Sequence, residues 1–426
     1  MTSKTGRRRK ARPARPARAN NRRNLTLAAL LAVASITVTY LAVARHDDTA
    51  PTASTDRNSV PRPGETPKWD GKVKVLGDGS TSLTGPQKGQ LKPVPLKPGE
   101  KPPQFVVFSW DGALEGDDHL FTHYREMAKQ YNAQMTFFLS GIYLLPKSKK
   151  DLYQGPMHKP GEAAIDYPTD GHIRDTLGQL RAAYDDGDEI GTHFNGHFCD
   201  DDKSGLVWSP DQWKTEIDQF YSLVENWKTN TGYKDIPPLP FDFRSEVVGG
   251  RAPCLQGQQN LLKAIKSYGW RYDASSPGDL QIWPKKKNGI WDFPLQMIPY
   301  AGANFQGVSM DFNFLANQNN GNPNGDPSKY PAWEKQAVQS YMDGFNRVYY
   351  GSRAPMFIGN HFENWNGGIY MKAMDQVIKN VCTKKGVKCV SFKELADWLD
   401  VQKPATLENL RGLDPAQSPD WSTVVN

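Results

Sequence analysis

Acidic residues are absent from the first 23 positions of this 426-residue chain, charge of either sign is absent from residues 25–44, and cysteine is held to four. The first absence leaves ten lysines and arginines unopposed, so the net charge of +6 for the whole chain becomes −4 for everything after residue 23. A mildly acidic body does not offer the basic face that nucleic acid requires, and no nucleic-acid partner is expected. The second absence spans a length that crosses a bilayer as a helix, for which about 20 apolar residues are needed. With a positive flank before it, the N-terminus is expected to stay in the cytoplasm and the remainder to be exported. Ala42-Val43-Ala44 also fits the small-x-small pattern of signal-peptide cleavage, so secretion after Ala44 stands as the alternative to a single-pass membrane anchor. Scarce cysteine excludes a disulfide-built scaffold, yet an even count fits an oxidising compartment. No internal repeat is evident.

The expected organisation is a basic cytoplasmic tail at 1–24, a transmembrane signal-anchor at 25–44, a disordered Pro-rich spacer at 45–103, a catalytic domain at 104–400 and a tail at 401–426. Sustained apolar periodicity is missing from residues 45–103, which are rich in Pro, Thr, Ser, Gly and Lys and read as an extended spacer. Beyond it the pattern alternates. Phe105 to Trp110 is a run of β-formers ending in Asp111-Gly112-Ala113, and residues 134–141 form a second buried strand. Helices are expected around residues 121–128, 173–184, 209–228, 257–268, 333–349 and 368–381, with further strands at 291–298, 355–361 and 387–391. Such alternation over roughly 300 residues argues a parallel α/β architecture, a barrel or a doubly wound sheet, with functional side chains at the strand C-terminal ends.

Chemistry concentrates at Gly191-Thr192-His193-Phe194-Asn195-Gly196-His197, after such a strand. Two imidazoles four residues apart can grip one metal ion, but a catalytic site needs about three protein ligands and an open position for water. Cys382 and Cys389 bracket a short loop that a disulfide can close. Cys199 and Cys254 are candidates for a second bridge, a pairing that sequence alone does not decide.

Five short motifs in order resemble the polysaccharide deacetylases of the NodB-homology type, carbohydrate esterase family 4, over roughly residues 104–399. They are Ser109-Trp110-Asp111-Gly112-Ala113, His193-Phe194-Asn195-Gly196-His197, Gly250-Arg251-Ala252-Pro253-Cys254, Trp291-Asp292-Phe293-Pro294 and Phe357-Ile358-Gly359-Asn360-His361. The resemblance implies a distorted (β/α) barrel and metal-dependent removal of N-acetyl groups from a cell-wall or extracellular polysaccharide, peptidoglycan or chitin-like. It implies Asp111 as base, His361 as acid, Arg251 as the residue orienting the base, and His193 and His197 as ligands of a divalent metal, zinc foremost with cobalt or manganese as alternatives. The backbone amide of Cys254 is implied as an oxyanion donor. Aligned without a gap, Gly112 stands where the family supplies its metal-binding aspartate; slipping by one residue makes Asp111 a metal ligand and puts Trp110 at the base position. A third ligand is then sought among Asp117, Asp118, Asp200 and Asp201, and an aspartate partner for Arg251 at Asp273 or Asp279. Trp208, Trp283 and Trp365 are candidates for stacking on sugar. Two other readings remain: a catalytically weakened relative that binds glycan, and an esterase of O-acetylated polymers.

Overall fold

The computed structural model describes residues 73–83, 87–199 and 201–426. The basic tail, the apolar stretch 25–44, residues 45–72 of the spacer and Asp200 lie outside the described residues. Among the described residues no helix is long and apolar enough to cross a membrane.

A hairpin of β1 (Val75–Leu76) and β2 (Ser80–Thr81) comes first. Then follow β3 (Gln104–Asp111), α1 (Leu120–Gln130), β4 (Thr136–Leu139), α2 (Asp170–Asp186) and β5 (Glu189–Thr192), three strands in a parallel set separated by helices. Next are α3 (Pro210–Glu225), α4 (Trp227–Thr231), α5 (Phe243–Glu246) and α6 (Gln258–Ala264). Helix α3 starts where Ser209 and Gln212 cap each other's backbone and Pro210 pre-sets the first turn. Short strands β6 (Tyr272–Asp273), β7 (Lys285–Lys287), β8 (Ile290–Asp292), β9 (Met297–Pro299) and β10 (Gln306–Val308) lead into α7 (Asp311–Asn319) and α8 (Tyr330–Tyr349). The chain ends with β11 (Met356–His361), α9 (Trp365–Cys382), β12 (Val387–Cys389), α10 (Phe392–Asp400), α11 (Pro404–Arg411) and α12 (Trp421–Val424).

The central sheet has the order β11-β3-β4-β5, with β12 also paired to β3. Irregular segments continue it. Arg251 N–H donates to Thr192 C=O at 3.0 Å, Ala274 N–H to Gly250 C=O at 2.9 Å and Phe293 N–H to Asp273 C=O at 2.9 Å. Ser309 N–H then donates to Gln296 C=O at 2.8 Å and Gly359 N–H to Ser309 C=O at 2.9 Å, which returns the circuit to β11. The result is an α/β barrel with one half built of regular parallel strands and the other of the short parallel pair β6–β8 joined by isolated bridges.

Period-two alternation sorts the side chains of β3. Val106, Phe108 and Trp110 join the cluster that packs against α1 and α9, whereas Phe105 and Val107 join Phe138, Tyr272, Phe293 and Phe357. Ser109 and Asp111 share the second parity, so the aspartate arrives at the open end of the barrel with its face already chosen. Full burial of a side chain such as Phe108 stabilises by about 1.5–3 kcal/mol. Trp110, on the same face as Phe108, stacks on Tyr124 at 3.7 Å between centroids and so locks β3 to α1.

Two expectations need correction. The later part of the supposed spacer is bound to the body: Leu96 N–H donates to Gln402 Oε1 at 2.9 Å, and Trp227 Nε1 donates to Gly79 C=O at 2.7 Å. The supposed tail after residue 400 is structured as well, with Leu407, Leu410, Val424 and Val425 buried in the same cluster as Phe105 and Trp398. Both segments lack sustained periodicity because each contributes only a few apolar side chains to the end of the barrel opposite the site.

Candidate active site at the strand C-terminal ends

Parallel pairing places His361 directly opposite Asp111, so the last residues of β11 and β3 share one end of the barrel. The loop after β5 brings the other two histidines. His193 N–H donates to Leu139 C=O at 2.8 Å, and Asn195 N–H donates to the buried Glu216 of α3 at 3.0 Å. Phe194 and His197 take left-handed backbone, with φ of 60° and 55°. Such geometry costs a non-glycine residue about 1–3 kcal/mol and clusters at functional sites.

Asp111 is buried and bound by Arg251, whose Nη1 donates to Oδ1 at 2.8 Å and to Ser109 Oγ at 2.9 Å. Arg251 Nε donates to Ala274 C=O at 3.1 Å, and the guanidinium lies over the Phe138 ring. Burial favours the neutral acid, but Arg251, and after it the charged imidazole of His361, outweigh burial and hold the Asp111 carboxyl below the usual carboxylate range. Asp111 therefore stands ionised with one oxygen committed and Oδ2 left for chemistry. Replacing Arg251 by Leu is expected to destabilise the protein by about 3–5 kcal/mol, because it strands a buried charge. Urea denaturation followed by tryptophan fluorescence checks this, and a loss below 1 kcal/mol contradicts it. Since the folded pKa of Asp111 is depressed, its contribution is present above the unfolded carboxylate pKa and fades as pH falls through the folded one. The Leu variant should accordingly lose the acid side of the wild-type stability profile.

His193 is 2% exposed, and its Nδ1–H donates to Arg251 C=O at 2.8 Å. That bond fixes the tautomer and leaves the Nε2 lone pair buried without a partner. Burial pushes the imidazole down to about 3, so it stays neutral. The ring of His197 lies 5.0 Å away between centroids, and burial, then His361, lower its pKa also. An orphaned imidazole nitrogen beside a second neutral imidazole suits a divalent cation, and these two residues are the donors present. No carboxylate joins them as a third donor among the described residues. Asp117 is bound by His172 at 2.9 Å, Asp118 is exposed, and Asp201 accepts from Lys203 N–H at 2.9 Å. Gly112 has φ of 69° and offers no side chain.

His361 has a partner that sequence reasoning missed. Asp311, in the first turn of α7, accepts from His361 Nδ1 at 2.8 Å with one oxygen and from the His361 backbone N–H at 2.7 Å with the other. Burial opposes charge on the ring, yet the Asp311 carboxylate overrides it and lifts the imidazole to about 9. Nε2 remains as the free donor. The aspartates proposed as partners of Arg251 are elsewhere engaged: Asp273 accepts from Ser275 Oγ at 2.6 Å, and Asp279 is exposed. Asp111 itself is the partner.

Cys254 is joined to Cys199, and Cys382 to Cys389. Cys254 sits exposed beside the site in left-handed backbone, with φ of 53°. Trp208 and Trp283 are buried in the core and cannot stack on sugar, whereas half-buried Trp365 lies 5.3 Å from His361 between centroids.

No protein-family model and no curated protein matches the chain. Among solved structures it is similar to a Mycobacterium smegmatis chain assigned as a polysaccharide deacetylase, at 14% identity over 72% of this chain and 94% of that one, with a TM-score of 0.40. A CE4 family pseudoenzyme from Bacillus anthracis is 11% identical over 74% of this chain and 72% of its own, with a TM-score of 0.36. The peptidoglycan deacetylase PdaC of Bacillus subtilis is 12% identical over 70% and 92%, with a TM-score of 0.34. In the order of its motifs the chain resembles carbohydrate esterase family 4, and the solved chains to which it is similar include polysaccharide deacetylases and a pseudoenzyme of the CE4 family.

Proposed function

We propose that the protein is a deacetylase of an N-acetylated extracellular polysaccharide such as peptidoglycan or a chitin-like polymer. The observation that carries this reading is the pairing of Asp111, bound by Arg251, with His361, bound by Asp311, on adjacent strand ends, a base and an acid whose surroundings push their pKa values in opposite directions. Asp111 Oδ2 takes the proton of the attacking water while Arg251 holds Oδ1 in place. His361 Nε2 returns a proton to the leaving nitrogen, with Asp311 fixing the ring and sustaining its charge. Bound at His193 and His197, a divalent cation, zinc foremost, would polarise the acetamide carbonyl and acidify water. The backbone at Cys254 stands beside the site as the oxyanion donor. Trp365 beside His361 supplies an aromatic face for a pyranose ring. The apolar stretch 25–44 would place this body outside the cell, either anchored or released after Ala44.

Acetate release from N-acetylglucosamine oligomers, set against O-acetylated xylan, is the direct test. Release from the ester polymer alone would replace the amidase by an esterase, and release from neither would leave a glycan-binding relative. Gly112 is the observation that favours this last reading.

The pH profile reads His361 separately. With its folded pKa raised from the ordinary 6.5 to about 9, the acid stays protonated through neutral pH, and the charge pair's stabilisation, complete below the unfolded pKa, is lost as pH rises through about 9. The basic limb of kcat/KM should fall near pH 9, and Asp311→Asn should draw it down toward neutrality. A limb that does not move would take the acid role from His361.

A further inference from the structure

Donor atoms of His197, Cys199 and Cys254 all lie within 4.8 Å of one another, and Cys199 Sγ is 3.7 Å from His197 Nδ1. The two sulfurs are joined in a disulfide. Beside them stands the unpartnered Nε2 of His193, on a side chain only 2% exposed whose ring is 5.0 Å from that of His197. Both His197 and Cys254 hold left-handed backbone to reach these positions. Strain at two of three converging residues is costly unless convergence itself has a use.

We propose that reduction of the Cys199–Cys254 bridge opens a binding site for one thiophilic divalent cation, zinc or cobalt, held by His197, Cys199 and Cys254. The chemistry balances. A dithiol reductant passes two electrons and two protons to the bridge and becomes a disulfide, leaving two thiols. The cation then displaces both thiol protons and is bound by two thiolates and the His197 imidazole. Thiolate with imidazole is a donor set that zinc and cobalt accept in tetrahedral geometry, and two sulfurs add the affinity that two histidines alone lack. Three protein donors leave one position for water, so His197 would serve a half-site with His193 when the bridge is intact and a three-donor centre with the sulfurs when it is reduced. This proposal does not rest on the deacetylase reading.

Cobalt reports thiolate ligation through sulfur-to-metal charge-transfer absorption, independent of acetate release. The purified full-length chain is titrated with Co²⁺ before and after treatment with a dithiol that is then removed. Thiolate charge-transfer bands should grow in to one equivalent of cobalt in the reduced protein and stay absent from the oxidised one, whose histidines offer the cation no thiolate. Cys382→Ser/Cys389→Ser should keep the bands, while Cys199→Ser/Cys254→Ser should abolish them and His197→Ala should weaken binding at least tenfold. Because the serine variants can fail to fold, mass spectrometry of the reduced wild-type chain provides a second reading: zinc should shield Cys199 and Cys254, but not Cys382 and Cys389, from iodoacetamide. Absence of the bands after reduction, their persistence in the Cys199/Cys254 variant, or equal alkylation of all four cysteines overturns the proposal.

Discussion

Asp111→Asn is expected to lower kcat for acetate release by about 10²–10⁴-fold, the range that a positioned proton acceptor supplies. Asparagine keeps the shape of the side chain and an oxygen that can still accept from Arg251 Nη1, now at 2.8 Å from the carboxylate. What it removes is the charge. An amide does not take a proton from water near neutral pH, whereas the Asp111 carboxyl, held low by Arg251 against the effect of burial, is ionised there. The same change leaves the buried guanidinium without its counter-ion, so some stability will be lost, and rates must be read well below the melting temperature of the variant. Circular dichroism separates the two effects: a folded variant with unchanged KM and a collapsed kcat identifies Asp111 as the base. A folded variant retaining more than a tenth of wild-type activity would move the base elsewhere, and the one-residue slip that makes Asp111 a metal ligand would regain its standing.

The site divides into residues that sequence exposes and residues it hides. Asp111 was legible because β3 is a continuous β-forming run buried at all eight positions, and the acid ends it. His193 was legible for a similar reason, following a strand and sharing its motif with His197. Spacing pointed to the Cys382–Cys389 bridge, while Cys199–Cys254 was a candidate pairing that sequence alone left undecided. Asp311 was not legible. It follows a strand reduced to a single bridge, Met310 with Gly359, and opens a helix whose N-cap is Met310, with no side-chain cap to announce the start. Gly249 to Arg251 escaped as strand for the same reason, since only one bridge to Thr192 marks it. Residues 87–103 read as spacer because what holds them is distant in sequence: Glu394 and Gln402 reach back to the backbone of Leu91 and Leu96. Composition reports what a segment can form by itself, not what a partner some 300 positions later fastens down.

Gly112→Asp is expected to tighten zinc binding by the oxidised protein on the order of 100-fold or more. Loss of a group that merely supports a ligand costs about 10–100-fold in metal affinity, so a missing ligand should matter at least as much. The backbone can accept the change. At φ of 69° an L-residue is strained, but aspartate is among those that tolerate the left-handed region, at a cost of roughly 1–2 kcal/mol. A Cβ built there meets nothing closer than Tyr143 Oη at 3.4 Å, an ordinary contact. Competition with a chromophoric chelator measures the affinity, and Gly112→Ala controls for the backbone because it pays the same strain without supplying an oxygen. If only the aspartate variant gains zinc and acetate release rises with it, the wild-type chain is a deacetylase short of one ligand, with Asp111 correctly placed as base. If zinc affinity changes by less than a few-fold, position 112 is not where the third donor belongs.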